Sequence, residues 1–496
     1  MSEPAAVGLG DAGAIGATAV QEPPPDAEAV VAEVVARARR AQAEFEHYSQ
    51  EQVDEVVTAV AWACYKQENA EALARLAVET TGLGRYEHKV LKNRRKTFGT
   101  LCDLQGAISV GVIDDDPRTG LTRIAKPVGV VAAICPSTNP SATPVNKAMM
   151  ILKGRNACII GPSPKGLATC ELTVELIHRE LDKVGAPLDL VQHVPGPISK
   201  DTSGALMRQA DMVVVTGSQG NVRAAYSSGT PAIGVGGGNV PVIITSSADL
   251  PDAAEKVKRS KVFDYATSCS SENSVVIDSA VYDAAIEALE REGGYLASPA
   301  EKDRLEAVMW KDGKLTGTIT AQPPEAIAEA AGLDSPGARE CEFFLVEDDG
   351  VGPEHPFSGE KLSLVLTVYR YETFDEAVEL VQSILDYQGA GHSVGIHTRE
   401  HEQTERLAHS LDVVRVLENQ SHTFGNGGSF DNGLNFTLTM GCGTWAGNSI
   451  SENLSYRHFL NVTHLVRVIP ERKPSEEEAF GAYLDRHGDG RGRGGA

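Results

Sequence analysis

The sequence predicts an α/β protein made of two parallel-sheet domains. Three observations carry this. From about residue 124, short apolar runs alternate with amphipathic helical patterns, and a second alternating series begins near residue 260. The chain has 496 residues, enough for two or three domains at roughly 100–200 residues each. Continuous apolar strands, each followed by a helix, are the pattern of a parallel sheet covered on both faces.

Residues 1–25 are rich in Ala, Gly and Pro and read as a disordered leader. Helices come first. Val30, Val34, Ala38, Ala41 and Phe45 keep one apolar face at helical spacing. Ser49 and Gln52 form a capping-box pattern before a helix whose face is Val53, Val56, Val57, Val60 and Cys64. Helical character runs through "ALARLAVETTG", where Gly82 supplies a stop. The first series then pairs "VGVVAAI" with "ATPVNKAMMIL", "ACIIG" with "LATCELTVELIHREL", "LDLVQHV" with "GALMRQA" and "MVVVTG" with "QGNVRAAYSS". The second reads "SVVID", "AVYDAAIEALERE", "FFLVE", "LSLVLTVYRY", "TFDEAVELVQSIL", "SVGIHT" and "VVRVLEN". The late strand "HLVRVIP" (464–470) has no helix after it and needs a sheet edge, on this chain or another subunit. The tail 473–496 reads as disordered.

A net charge of −23 argues against broad nucleic-acid binding, which wants a basic surface. It leaves room for an anionic cofactor held by a local cluster of N–H donors. Eight cysteines occur, none in a CxxC pair, so neither a zinc ribbon nor a thioredoxin-type site is signalled and no metal is expected. A reduced, cytoplasmic setting fits them. The first 36 residues contain no Lys or Arg, so no signal or transit peptide is expected. No apolar run approaches the ~20 residues of a membrane helix.

Several segments could carry chemistry. Cys269 lies in "FDYATSCSSENS" among small hydroxyl residues, unlike cysteines set in apolar strands, and so could be an accessible nucleophile or a structural thiol. In "ICPSTNPSATPVNKAMM" the prolines stop the strand, and Asn139 sits in the loop with an amide that could meet an oxyanion or merely close a turn. Thr216, Gly217 and Ser218 join a strand to a helix and could present N–H groups to a pyrophosphate, although the GxGxxG fingerprint is absent. "GTPAIGVGGGNVP" holds five glycines, so its backbone passes close to something. It carries no acid between Pro231 and Pro241. Glu360 and His392 stand in "SGEKLSLVL" and "GAGHSVGIHT", each open to a plain surface or loop role.

In this order the segments resemble the aldehyde dehydrogenase superfamily. The carrying stretches are "KPVGVVAAICPSTNP", "AAYSSGTPAIGVGGGNVPVII", "KVFDYATSCSSENSVV", "GEKLSLVL", "GAGHSVGIHT" and "TMGCGTWAGNSISENLSYRHFLNVT". More narrowly they resemble its CoA-acylating branch, which includes acylating sulfoacetaldehyde and acetaldehyde dehydrogenases and the aldehyde half of bifunctional aldehyde–alcohol dehydrogenases. The resemblance implies a cofactor domain (26–111 and 128–254), a catalytic domain (255–438) and a small bridging sheet that supports oligomerisation (112–127 and 439–472). It implies a nucleophile at Cys269, an oxyanion donor at Asn139 and a branch-specific histidine at His392. Cofactor contacts are implied at Gly217, Ser218, Glu360, Ser137, Lys165 and Gly238. Hydrolytic members carry a water-activating glutamate in the glycine-rich segment; here that stretch reads "GVGGGNVP". The loss favours acyl transfer to CoA, because a thiol needs less activation than water. A lysine that follows the strand equivalent to "CIIG" in hydrolytic members is replaced by Gly161, with Lys165 four residues on, which points to NADP ahead of NAD. The expectation is therefore a homodimeric or homotetrameric enzyme oxidising a small aldehyde with NADP or NAD and CoA. Sulfoacetaldehyde comes first, acetaldehyde or succinate semialdehyde next. The alternatives are a hydrolytic aldehyde dehydrogenase giving the free acid and a non-catalytic redox sensor.

Overall fold

The apolar runs assemble into two parallel sheets. The computed structural model describes residues 26–488, so the expected leader at 1–25 lies outside the described residues. The first sheet has five strands in the order Val191–His193, Ala157–Gly161, Val130–Ile134, Met212–Thr216, Ala232–Val235. All pair in parallel. Val130–Ile134 and Ala157–Gly161 are buried at every position, which is why neither alternates in polarity. The chain enters at the central strand, moves outward on one side, and returns to build the other. The reversal leaves a crevice at the C-terminal ends of Val130–Ile134 and Met212–Thr216, where open α/β sheets bind ligands.

The second sheet has seven parallel strands, ordered Gly294–Leu296, Phe343–Glu347, Val365–Tyr371, Glu272–Asp278, Val240–Ile244, Val394–His397, Val416–Glu418. Val240–Ile244 corrects the expected domain boundary at 254. It pairs with Glu272–Asp278 and Val394–His397, so the chain leaves the first sheet after Val235 and crosses through the glycine-rich segment 236–239. An apolar strand does not announce its sheet when both partners are distant in sequence.

The helices follow the sequence pattern where their faces are apolar. Ala27–Phe45 buries Val31, Val34, Val35, Ala38, Ala41 and Phe45, with Val30 at the margin. Ser49 and Gln52 form the expected capping box, and Gly82 closes the helix Gln67–Thr81 at φ 68°. Tyr86–Leu104 is a helix that the apolar pattern does not show, because its buried face includes Lys89, Lys92, Asn93, Lys96 and Thr97. The expected bridging sheet is present: Gly111–Asp116, Leu121–Pro127 and Leu460–Val466 pair antiparallel in that order. The last strand begins four residues before the expected 464 and finds its partner within the same chain. Within the expected disordered tail 473–496, of which 489–496 lie outside the described residues, residues 476–487 correct the expectation. They form the helix Glu476–His487, with a Ser475/Glu478 capping box, acids in the first turn and Arg486 and His487 in the last. None of its residues is buried. No helix among the described residues is long and apolar enough to cross a membrane.

Asn156 ties the bridging strands to the first sheet. Its Oδ1 accepts from the N–H groups of Val128 (2.7 Å) and Gly129 (3.0 Å), just past Leu121–Pro127. Its Nδ2 donates to the carbonyls of Ile151 (3.0 Å) and Phe459 (2.9 Å), the latter just before Leu460–Val466. The side chain is fully buried. Asn156→Ala removes the partner of the Val128 and Gly129 N–H groups and of the Phe459 carbonyl, each worth about 1–3 kcal/mol when left unsatisfied, while the Ile151 carbonyl keeps the Gly154 N–H. We expect a loss of ~3 kcal/mol or more, read as a lower urea midpoint in equilibrium unfolding.

Candidate active site

Cys269 follows a stretch of costly backbone. Asp264, Tyr265 and Ala266 have φ of 53°, 51° and 57°. Left-handed geometry costs a non-glycine residue about 1–2 kcal/mol, so something must hold these three in place. The Asp264 carboxylate does. Its Oδ1 accepts from the Arg85 N–H (2.8 Å). Its Oδ2 accepts from Lys89 Nζ (3.1 Å), Lys92 Nζ and Thr267 Oγ1 (2.8 Å). Burial alone would push this carboxyl up; Lys92 and Lys89 beside it outweigh that and hold it below the usual carboxylate range. Burial in turn pushes Lys89 down to about 8, with Asp264 opposing.

The same two lysines reach the loop after Val130–Ile134. Lys89 Nζ donates to the Thr138 carbonyl (3.1 Å) and Lys92 Nζ to Asn139 Oδ1 (2.6 Å). With its oxygen taken, the Asn139 carboxamide keeps its nitrogen for the cleft, where that nitrogen makes only a 3.5 Å contact with Thr138 Oγ1. Asp264, Lys89 and Lys92 were not singled out from sequence. The signal was there: cations at 89, 92 and 96 fall on one helical face.

A cleft of about 440 Å³ gathers most of the expected residues. Ser137 and Asn139 come from one side of the sheet reversal, Gly217 and Ser218 from the other, Gly238 from the crossing segment, and Cys269 and Glu360 from the second sheet's loops. The glycines are required by close approach. A Cβ at Gly237 would stand 2.6 Å from Glu360 Oε2, and one at Gly238 2.5 Å from the Cys269 carbonyl and 2.9 Å from His392 Nε2. Glu360 Oε1 accepts the Gly238 N–H at 3.2 Å, and burial pushes this carboxyl up to about 7. The Gly217 N–H is already engaged by the Val235 carbonyl (3.2 Å), because the parallel ladder runs one residue further than the sequence suggests. The donors facing a phosphate are therefore the first N–H groups of the helix Gln219–Tyr226, capped by Ser218. Together these features fit a dinucleotide. Lys165 is exposed in the turn Pro164–Gly166 and is not among the residues lining the cleft.

His392 lies behind Gly238, fully buried. Its Nδ1 is 2.7 Å from Ser393 Oγ, which is 2.9 Å from His422 Nε2. Its Nε2 has no partner among the described residues. Burial drives its basicity well below the ordinary value, and Arg415 and His422 add to this, so the ring is neutral. Arg415 braces this corner, donating to the carbonyls of His392 (3.0 Å) and Gly441 (2.8 Å) and to Asn453 Oδ1 (3.0 Å). Cys269 is half-buried. Burial, with the Glu360 carboxylate next in weight, pushes its thiol up to about 12, and Arg415 and Ser270 offset this only in part.

A half-buried thiol beside an amide donor, in a dinucleotide-type crevice between two sheets, defines a class. The chain matches the model of the aldehyde dehydrogenase family over residues 16–297. It is 53% identical over 467 residues to the sulfoacetaldehyde dehydrogenase (acylating) of Cupriavidus necator, which covers 94% of this chain and 95% of that protein. The crystal structure of an acetylating aldehyde dehydrogenase from Geobacillus thermoglucosidasius superposes with a TM-score of 0.87 at 34% identity, over 90% of this chain and 98% of that one. A propionaldehyde dehydrogenase from Rhodopseudomonas palustris, solved with bound CoA and an acylated cysteine, gives 0.79 at 26% identity, over 88% and 97%. The chain belongs to the aldehyde dehydrogenase family and is an oxidoreductase. Within the family it falls in the CoA-acylating branch, as its motifs implied.

Two outcomes follow from the site's electrostatics. Asp264→Ala leaves two buried ammonium groups without their carboxylate. Breaking one partner out of a buried pair costs about 3–5 kcal/mol, to be read in urea unfolding, and kcat should fall with it as Lys92, which anchors Asn139, loses the carboxylate that positions it. Glu360→Gln removes a negative charge that disfavours the Cys269 thiolate. The thiol's midpoint should then move to lower pH, and alkylation of Cys269 by iodoacetamide at pH ~8 should quicken, followed by mass spectrometry of the Cys269 peptide.

Proposed function

We propose that the enzyme oxidises a small aldehyde to an acyl-CoA through a thioester on Cys269, with sulfoacetaldehyde as first substrate and acetaldehyde or succinate semialdehyde next. The observation that carries acyl transfer is the chemistry of the cleft wall. Residues 231–241 hold no acid. Glu360 is the one carboxylate among the described residues lining the cleft, and one of its oxygens is engaged by the Gly238 N–H. The crossing segment, where hydrolytic members carry their acid, therefore offers water no base, whereas a thiol needs less help.

Cys269 Sγ adds to the aldehyde carbon and the carbonyl oxygen gains charge. The Asn139 carboxamide nitrogen, held in orientation by Lys92, and the Cys269 N–H meet that charge. One such donor contributes about 3–4 kcal/mol to the barrier. A nicotinamide cofactor, held by the helix start at Ser218 and by Ser137, Gly217, Gly238 and Glu360, would supply the acceptor for the aldehyde hydrogen. His392 stands behind Gly238 with a neutral, unpartnered Nε2 and backs the wall that faces Cys269. CoA then takes the acyl group, exchanging one thioester for another, so the sequence runs close to balance in both directions. The cofactor is NAD or NADP; with Lys165 outside the cleft lining, the cleft itself favours neither. Homo-oligomerisation is supported by the unpaired outer edge of Leu460–Val466 and the exposure of Val462, Leu465 and Val466 along it. Eight free thiols suit the cytoplasm.

With aldehyde and cofactor but no CoA, reduction of the cofactor should stop at no more than about one equivalent per site. Adding CoA should restore steady turnover, and Cys269→Ala should abolish it while leaving cofactor binding intact. Sustained conversion to the free acid without any thiol overturns the proposal.

A further inference from the structure

A second, small cavity adjoins the cleft and shares Asn139, Ser268, Leu438 and Met440 with its lining. Lys92, Arg95, Lys96, Asn139, Ser268 and Ser270 line it, and the two serines flank Cys269. Any molecule reaching both Cys269 and these cations must be short. Lys92 is paired with Asp264, which it shares with Lys89. Arg95 and Lys96 have no carboxylate partner within salt-bridge distance among the described residues. Lys96 is 7% exposed, and its ammonium donates to a single acceptor, the Gly427 carbonyl at 2.5 Å. Arg95 uses Nη2 on the Phe424 carbonyl (3.1 Å), the Gly428 carbonyl (3.4 Å) and Ser429 Oγ (3.0 Å). The faces of Phe424 and Phe436 lie 5.2 and 5.3 Å from its guanidinium carbon. Lys96 is kept from water and Arg95 is half-buried, both without a counter-charge, and a buried cation in this state opposes folding unless an anion joins it. Asp103 and Asp431 act on them only from a distance.

We infer that Arg95 and Lys96 seat the anionic end of the substrate, a sulfonate or carboxylate, and so set the enzyme's preference for charged over neutral short aldehydes. The inference rests on the aldehyde chemistry proposed at Cys269. A guanidinium presents a planar fork suited to a sulfonate or carboxylate, and the lysine adds a point charge. The aldehyde end of the same molecule then lies at Cys269, with Asn139 on the wall shared by the cavity and the cleft.

The test compares sulfoacetaldehyde, succinate semialdehyde and acetaldehyde as substrates of wild type, Lys96→Met and Arg95→Leu, with CoA saturating. In Lys96→Met the ratio of kcat/KM for either anionic aldehyde to that for acetaldehyde should fall by on the order of 10²-fold. The KM for CoA should stay within about threefold, which assigns the site to the aldehyde rather than to CoA's phosphates. A ratio within about threefold of wild type in both variants overturns the inference. Because the ratio is internal, a partly misfolded variant does not mimic the effect. A second readout needs no turnover: ethanesulfonate should slow iodoacetamide alkylation of Cys269 in wild type and not in Lys96→Met. Protection without oxidation of any aldehyde would refute the function and keep the anion site. Turnover with no protection and no change in ratio would refute the site and keep the function.

Discussion

Asp264 is a carboxylate with no exposure to solvent, and the active site is arranged around it. Its two lysines come from the helix Tyr86–Leu104, which belongs to the helical layer beside the first sheet, while the strand Glu272–Asp278 that follows Cys269 belongs to the second. The charge cluster therefore holds the Cys269 loop, the Asn139 loop and an N-terminal helix in one arrangement. A buried ion cluster is a weak source of net stability, since the cost of dehydrating its members nearly matches their attraction. Its effect here is positional. It keeps three residues in left-handed backbone and fixes which end of the Asn139 amide faces the cleft.

The crossing segment 236–239 supplies the complementary wall. Glycine there lets the backbone come within reach of Glu360, His392 and the Cys269 carbonyl at once. A side chain at these positions would push the nucleophile and the acid away from the segment. The same choice keeps acids out of residues 231–241, so the close fit of this wall and its lack of a carboxylate have one cause.

Much of this was legible from sequence, for identifiable reasons. Strands such as "VGVVAAI" and "ACIIG" declare themselves because they are buried on both faces. Asn139 and Cys269 stand out because prolines and hydroxyl residues interrupt apolar runs. The helix Tyr86–Leu104 did not, since its interior face is cationic and makes sense only with Asp264, 172 residues beyond Lys92. Val240–Ile244 carries the composition of either sheet, and only long-range pairing assigns it. Ser475 and Glu478, by contrast, spell a capping box that could have revealed the last helix. The resemblance supplied Glu360 and His392, which look ordinary in their own surroundings.

The brace between Lys89, Lys92 and Asp264 spans the junction of the two sheets, so the cleft has fixed jaws on that side. That brace ties the width of the mouth to the seating of the helix Tyr86–Leu104, so the room on this side is settled by how the chain packs and not by whatever enters.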